Sequence, residues 1–195
     1  MAAPGEFDAS EAVTFDLAYG HIHLDGAPTR VMVPAQSLVA LCQAAGEEET
    51  ATLGHAIGDA MGRRALNRIS GDAADKKEAV RKAGLEKVVE HLAGELALLG
   101  YGALGAERWG RALVFVIDQS PLGEEGDGLL GEILQAAVHA LVGQAGRVVK
   151  LHREGVRTRF LLVSAAQING VRERLQRGES WGSVLATLHQ GGPKA

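Results

Sequence analysis

Two stretches of this chain spell motifs that carry chemistry in other proteins. Gly100-Tyr101-Gly102-Ala103-Leu104-Gly105 matches the dinucleotide-binding pattern G-x-G-x-x-G, and Gly178-Glu179-Ser180-Trp181-Gly182 matches the nucleophile elbow G-x-S-x-G. Each motif works only in context. A dinucleotide loop follows a strand and opens a helix, so that a pyrophosphate meets backbone N–H groups at the helix N-terminus. Here a helical pattern enters the glycines and a strand leaves, so they read as a helix C-cap and a turn. An elbow serine follows a buried strand and is served by a later acid and histidine. The stretch Val171 to Arg177 is instead charged and helical, no Asp or Glu follows Glu179, and only His189 follows the serine. Ser180 reads as a helix N-cap.

The remaining reactive residues are dispersed. His21 and His23 stand two apart on an expected strand, which places both rings on one side, a spacing that can hold a metal. No third ligand is close in sequence, so neither a metal nor a cofactor is expected. His139 lies on an apolar helix and reads as a hydrogen-bonded core or interface histidine rather than a base. His55 and His91 have no acidic partner that the sequence assigns. Cys42, after Val39-Ala40-Leu41, reads as a buried structural thiol, and a single cysteine can form no internal disulfide. Trp109 and Trp181, each beside a glycine, read as local packing anchors. Arg147, Lys150, Arg153, Arg157 and Arg159 form a candidate basic surface whose only interleaved aromatic is Phe160. That composition suits phosphate contact better than base stacking.

The elements that must position these residues follow from turn signals and periodicity. Met1 to Ser10 is acidic, with neither a basic patch nor an apolar stretch, so residues 1–11 read as a disordered tail and no signal peptide is expected. Ala12 to Leu24, turning at Asp25-Gly26, and Thr29 to Val33 read as a hairpin or extended arm. Pro34 suits the first turn of a short helix, Ser37 to Ala45. A longer helix, Glu47 to Ile69, opens on three glutamates that complement its dipole. It carries Gly54, Gly58 and Gly62 along one stripe, each costing about 1 kcal/mol against Ala. Close approach by another helix is the natural compensation, and the stripe is the candidate dimer interface. Asp75 caps a third helix reaching Leu99. Arg111 to Asp118 is a buried strand, Leu129 to Val142 a central helix, and Val148–Leu151 with Arg157–Val163 a hairpin. Ala165–Arg177 and Ser180–His189 are terminal helices. No internal repeat and no linker interrupts the series. Strands joined by a hairpin, among helices, predict an α+β class: an antiparallel sheet with helices packed on one face.

Composition bounds the rest. The chain has 195 residues, 46% apolar and 23% charged, enough for a core that buries about 70% of the unfolded surface. Aromatics are only 4%, so aliphatic residues must fill it. No apolar run approaches the ~20 residues that span a bilayer, and a cytoplasmic location is expected. The net charge of −4 is uneven: residues 1–146 hold 11 basic and 21 acidic side chains, residues 147–195 hold 9 and 3. Such polarity serves nucleic acid, an acidic partner, or simply a solvated face.

Several of these stretches together resemble the superfamily of vinyl-reductase domains and transport-particle (TRAPP) subunits. They are Leu53 to Gly62, Leu92 to Gly102 running into Leu113 to Ile117, Leu129 to Val138, and the hairpin ending Arg159 to Val163. The resemblance covers residues 12–164 and leaves residues 165–195 as a basic helical extension. It implies helices packed on one face of an antiparallel sheet, dimerisation through helices, and an apolar pocket for a small hydrophobic molecule or acyl chain. Two features of that superfamily are missing. The stretch Leu151 to Phe160 lacks the hairpin cysteines suited to a metal or redox role. Ile69-Ser70-Gly71-Asp72 lacks the acylated cysteine, and Cys42 sits one helix earlier.

The resulting expectation is a non-enzymatic regulatory or scaffold module, a homodimer that contacts an unidentified protein partner. One alternative is a sensor with a hydrophobic-ligand pocket between helices and sheet, lined by Leu96, Val114, Val116 and Leu134. The other is nucleic-acid or acidic-partner binding through the basic C-terminal third.

Overall fold

The structure is a computed structural model and describes residues 12–143 and 146–190, apart from the side chains of residues 28, 29, 189 and 190. The expected tail, residues 1–11, lies outside the described residues. The N-terminal arm is a three-stranded antiparallel sheet: β1 (Val13–Asp16), β2 (His21–Leu24) and β3 (Ala27–Arg30), in that order. Three helices follow: α1 (Ala35–Ala45), α2 (Glu47–Ser70) and α3 (Lys76–Leu98). Then come β4 (Ala103–Trp109), β5 (Ala112–Asp118), α4 (Asp127–Val142), β6 (Gly146–Glu154) and β7 (Arg157–Ser164), and last α5 (Ile168–Gln176) and α6 (Trp181–Gln190). The main sheet is antiparallel throughout, in the order β4-β5-β7-β6. The α+β class expected from the sequence is the one observed.

Strand β5 is buried on both faces because alternate residues meet different layers. Phe115 and Ile117 join the core built with α2, α3 and α4, where Met61, Leu92, Leu96, Ile133 and Leu134 are wholly buried. Val114 and Val116 point the opposite way, into a second cluster with Val171, Val184 and Leu185. The large helical layer thus covers one face of the sheet, and the terminal pair α5 and α6 covers the other. The C-terminal extension is part of the body, not an appendage.

The glycine stripe lies inside the chain. A Cβ at Gly58 would stand 2.2 Å from the Ile133 carbonyl oxygen, and one at Gly62 would stand 2.4 Å from that of Ala137. At Gly54 it would meet the Glu132 Cβ at 2.6 Å. Backbone approach by α4 is therefore the compensation for three helix glycines. The expected dimer interface at Gly54, Gly58 and Gly62 is corrected to an intrachain helix contact, with no open face left there for a second copy.

Two departures bear on function. The third helix begins at Asp75, whose carboxylate accepts from the Glu78 N–H at 3.0 Å, but it is broken at Gly84 (φ 83°, ψ 168°). That left-handed backbone suits glycine and offsets the two halves of α3. Strand β4, unforeseen in the sequence, is the edge strand beside β5. Gly100 and Gly102 (φ 72° and 111°) make the tight turn into it, and the Gly100 and Tyr101 N–H groups donate to the carbonyls of Ala97 and Leu96. The G-x-G-x-x-G spelling is a helix cap and turn, with no helix N-terminus behind it.

Substituting Gly58→Ala is expected to destabilise the protein by about 3 kcal/mol, because overpacking against the Ile133 carbonyl outweighs the helix propensity gained. Gly170→Ala, where an added Cβ meets nothing within 4 Å, is expected to be neutral or stabilising by up to about 1 kcal/mol. Urea unfolding of the two variants checks this, and equal effects would contradict the packing described.

Candidate functional site

The expected pocket residues do not come together. Leu96 and Leu134 are wholly buried in the core on one face of the sheet, whereas Val114 and Val116 belong to the cluster on the other. Period-2 alternation forbids all four from lining one cavity.

The candidate basic surface is also corrected. Asp127, at the first turn of α4 and 2% exposed, is the centre of a polar cluster. Arg153 donates to both its oxygens at 3.0 and 2.7 Å, Lys150 stands at 2.8 Å, and the Thr158 hydroxyl donates at 3.0 Å. Burial pushes the Asp127 carboxyl up, but the hydrogen bonds from Arg153 and Lys150 outweigh it and hold the group below its ordinary range. Arg157 pairs with Asp118 at 2.7 Å, and Arg159 with Glu107 at 3.3 Å. Arg147 donates to the Gly146 carbonyl. Four of the five cations thus face carboxylates of the acidic part of the chain, so the charge asymmetry of the sequence is largely cancelled in the fold.

Other residues resolve as packing. Trp109 and Trp181 meet edge to face at 5.2 Å, and the Arg159 guanidinium stands 5.2 Å from the centre of the Trp181 ring. The Glu107 carboxylate accepts from Trp109 and Arg159 and is held below its usual range by these bonds against the opposing effect of burial. This clasp pins α6 to the outer face of β4. Ser180 caps α6, its hydroxyl accepting from the Ser183 N–H at 3.3 Å. Cys42 is half-buried against the core. His139, expected in a core or interface, is exposed on the last turn of α4. His55 finds Glu132 at 2.8 Å. His21 and His23 have ring centres 5.8 Å apart. Among the described residues no group of three or more His, Cys, Asp or Glu is placed to hold a metal.

A second polar cluster was not foreseen. Glu95 is fully buried among apolar residues of α3 and is paired with Arg64 at 2.6 Å and with Arg68. Arg68 also bridges to Asp25 in the β2–β3 turn at 2.7 Å. The spacing 64/68 on α2 against 91/95 on α3 was its signal, since both pairs lie one turn apart on core-facing stripes. These groups satisfy one another and latch the N-terminal arm to the helices.

A cleft of about 410 Å³ opens between α3 and the edge of the sheet, lined by Leu85, Glu86, Val89, Ala106, Glu107, Arg108 and Leu113. It exists for local reasons. The break at Gly84 precedes Leu85, Glu86 and Val89 on the helix wall, while the opposite wall carries only the small Ala106 between Leu104 and Arg108. Arg108 pairs with Leu113 across the β4–β5 ladder, on the pleat opposite to Glu107. Neither the Glu86 nor the Arg108 side chain makes an ion pair or hydrogen bond among the described residues. An apolar floor walled by Arg108, Glu86 and the already engaged Glu107 can hold an apolar body and orient a polar end. Sequence reasoning missed it because neither the helix break nor β4 was legible.

No family model matches the chain, and no curated protein matches it. Among solved structures the chain is similar to the crystal structure of the phenol-responsive sensory domain of the transcription activator PoxR with phenol. The two are 15% identical with a TM-score of 0.49, over 83% of this chain and 93% of that one. A likeness this remote carries no ligand from one to the other. Among the described residues no helix is long and apolar enough to cross a membrane.

Because Asp127 is held below its unfolded value of about 3.9, its contribution to stability is fully present above that value and is lost as pH falls through the folded one. Asp127→Asn is expected to cost about 3 kcal/mol at pH 7. The gap to the wild type should narrow as pH drops below about 4. Urea unfolding across pH 7 to 3 checks it, and a gap independent of pH would contradict the assignment.

Proposed function

We propose that this chain is a non-catalytic ligand-binding module, a sensor that takes a small molecule with an apolar body and an anionic end in the cleft between α3 and β4. The observation that supports it is the cleft itself: a preformed apolar floor of Leu85, Val89, Ala106 and Leu113, with the guanidinium of Arg108, unpaired among the described residues, on its wall. The apolar body would displace water from the floor, and Arg108 would meet the anion. Glu86 on the opposite wall would repel a second negative charge and accept a hydrogen bond from a donor on the ligand. Selectivity then comes from the separation of these two charges rather than from affinity alone.

The resemblance to vinyl-reductase domains and transport-particle subunits is compatible with this reading, since pockets for apolar ligands are what that superfamily implies. The pocket, however, lies at the sheet edge rather than beneath the central helix. A role in binding nucleic acid is disfavoured by the pairing of Lys150, Arg153, Arg157 and Arg159 with carboxylates.

Decanoate, which joins an apolar chain to a carboxylate, is a suitable probe in calorimetric titration. Saturable binding is expected. Arg108→Gln should weaken it by about fivefold, the worth of one solvent-exposed ion pair. Ala106→Trp, which fills the cleft from an exposed strand position, should abolish binding while leaving the thermal unfolding midpoint in place. Absent binding, or binding indifferent to Ala106→Trp, would overturn the reading.

A further inference from the structure

The N-terminal arm shows water an unusual amount of apolar surface. Within residues 15–33, Phe15, Leu17, Tyr19, Val31, Met32 and Val33 are all exposed, from 53% at Val33 to 89% at Leu17. Among the described residues the other exposed large hydrophobics are only Leu41, Trp109 and Val156, so the excess belongs to this arm and not to the surface at large. Three consecutive exposed apolar residues, Val31-Met32-Val33, are not explained by folding of one chain, because a run of this kind is an error in a surface unless something covers it. The helix that follows is different: α1, Ala35–Ala45, turns Ala35, Leu38, Val39 and Cys42 onto the core and leaves Leu41 exposed.

We infer that this arm is a self-association surface, covered in solution by the same arm of a second copy of the chain. Three observations select that occupant. The first is area. Summed at ordinary side-chain sizes, the six residues expose on the order of 800 Å², about what one partner contributes to a standard interface. The second is charge. Asp25 of the arm is bonded to Arg68, and Arg30 lies in the field of Glu95 and Asp25. These two charges are engaged with the chain's own body, and the Asp16 carboxylate accepts from the Ala18 and Tyr19 N–H groups. A partner of complementary charge would find little to pair with, whereas a two-fold contact between identical apolar patches needs no charge. The third is the sheet edge. Among the described residues strand β3 pairs only with β2, and Val31–Val33, outside any strand, continues directly from it. An edge of this kind is prone to meet its own copy.

The proposal is independent of the cleft, which lies on α3 and β4. It relocates dimerisation from the glycine stripe, already occupied by α4, to the arm. Size-exclusion chromatography with light scattering on the full chain tests it at micromolar concentration. The wild type is expected at twice the chain mass of 20.4 kDa. Met32→Glu and, separately, Leu17→Glu should each weaken association by tenfold or more. Both positions are solvent-exposed in the single chain, so circular dichroism and the thermal midpoint measured below the dissociation constant should be unchanged. A monomeric wild type, or a dimer insensitive to both variants, would overturn it.

Discussion

The fold hangs on the close contact between α2 and α4. Three helix glycines bring α2 to within a carbonyl's width of α4, and no side chain larger than hydrogen fits at Gly58 or Gly62. Interiors are packed too densely to absorb such a contact elsewhere. With α4 fixed there, its other face sets Ile133 and Leu134 into the core shared with Phe160 of β7. Helix α3 then fills the remaining flank of α2 and meets the sheet through β4. The cleft is what is left where α3 breaks at Gly84 and β4 offers only an alanine.

Two buried carboxylates decide how the outlying parts dock. Glu95 gathers Arg64 and Arg68, and through Arg68 and Asp25 it fixes the N-terminal arm. Asp127 gathers Lys150, Arg153 and Thr158, and so joins the start of α4 to the β6–β7 hairpin. Buried ion pairs gain little net stability over apolar packing, but breaking one is costly. Their effect here is to admit one arrangement of arm, hairpin and helices. Asp127, together with Asp118 and Glu107, also draws Lys150, Arg153, Arg157 and Arg159 of the β6–β7 hairpin into ion pairs.

Much of the architecture was legible because its signals are local. The glutamates that open α2, the Asp75 cap, the apolar run of β5 and the Ser180 cap each place an element within a few residues. The glycine stripe correctly announced a close helix contact, although the sequence could not say whether α4 or a second chain made it. Strand β4 was hidden because Ala103–Trp109 is an edge strand with a glycine and two charges, held by its register with β5 rather than by propensity. The break at Gly84 was equally hidden, since a lone glycine in a helical pattern is ordinarily tolerated. The cleft depends on both, so no reading of motifs could have found it. The four residues expected to line a pocket are divided by the strand period: Val114 and Val116 face α5 and α6, whereas Leu96 and Leu134 lie against the opposite face with Phe115 and Ile117.

The central claim is that the α3–β4 cleft receives the apolar body of a small anionic molecule. The most direct measurement is a map of backbone amide shifts in the ¹⁵N-labelled full chain as decanoate is added. The account predicts saturable shifts confined to residues 84–89 and 104–113, with the N-terminal arm unmoved. Shifts centred on residues 15–33, or none at the cleft at saturating probe, would contradict it.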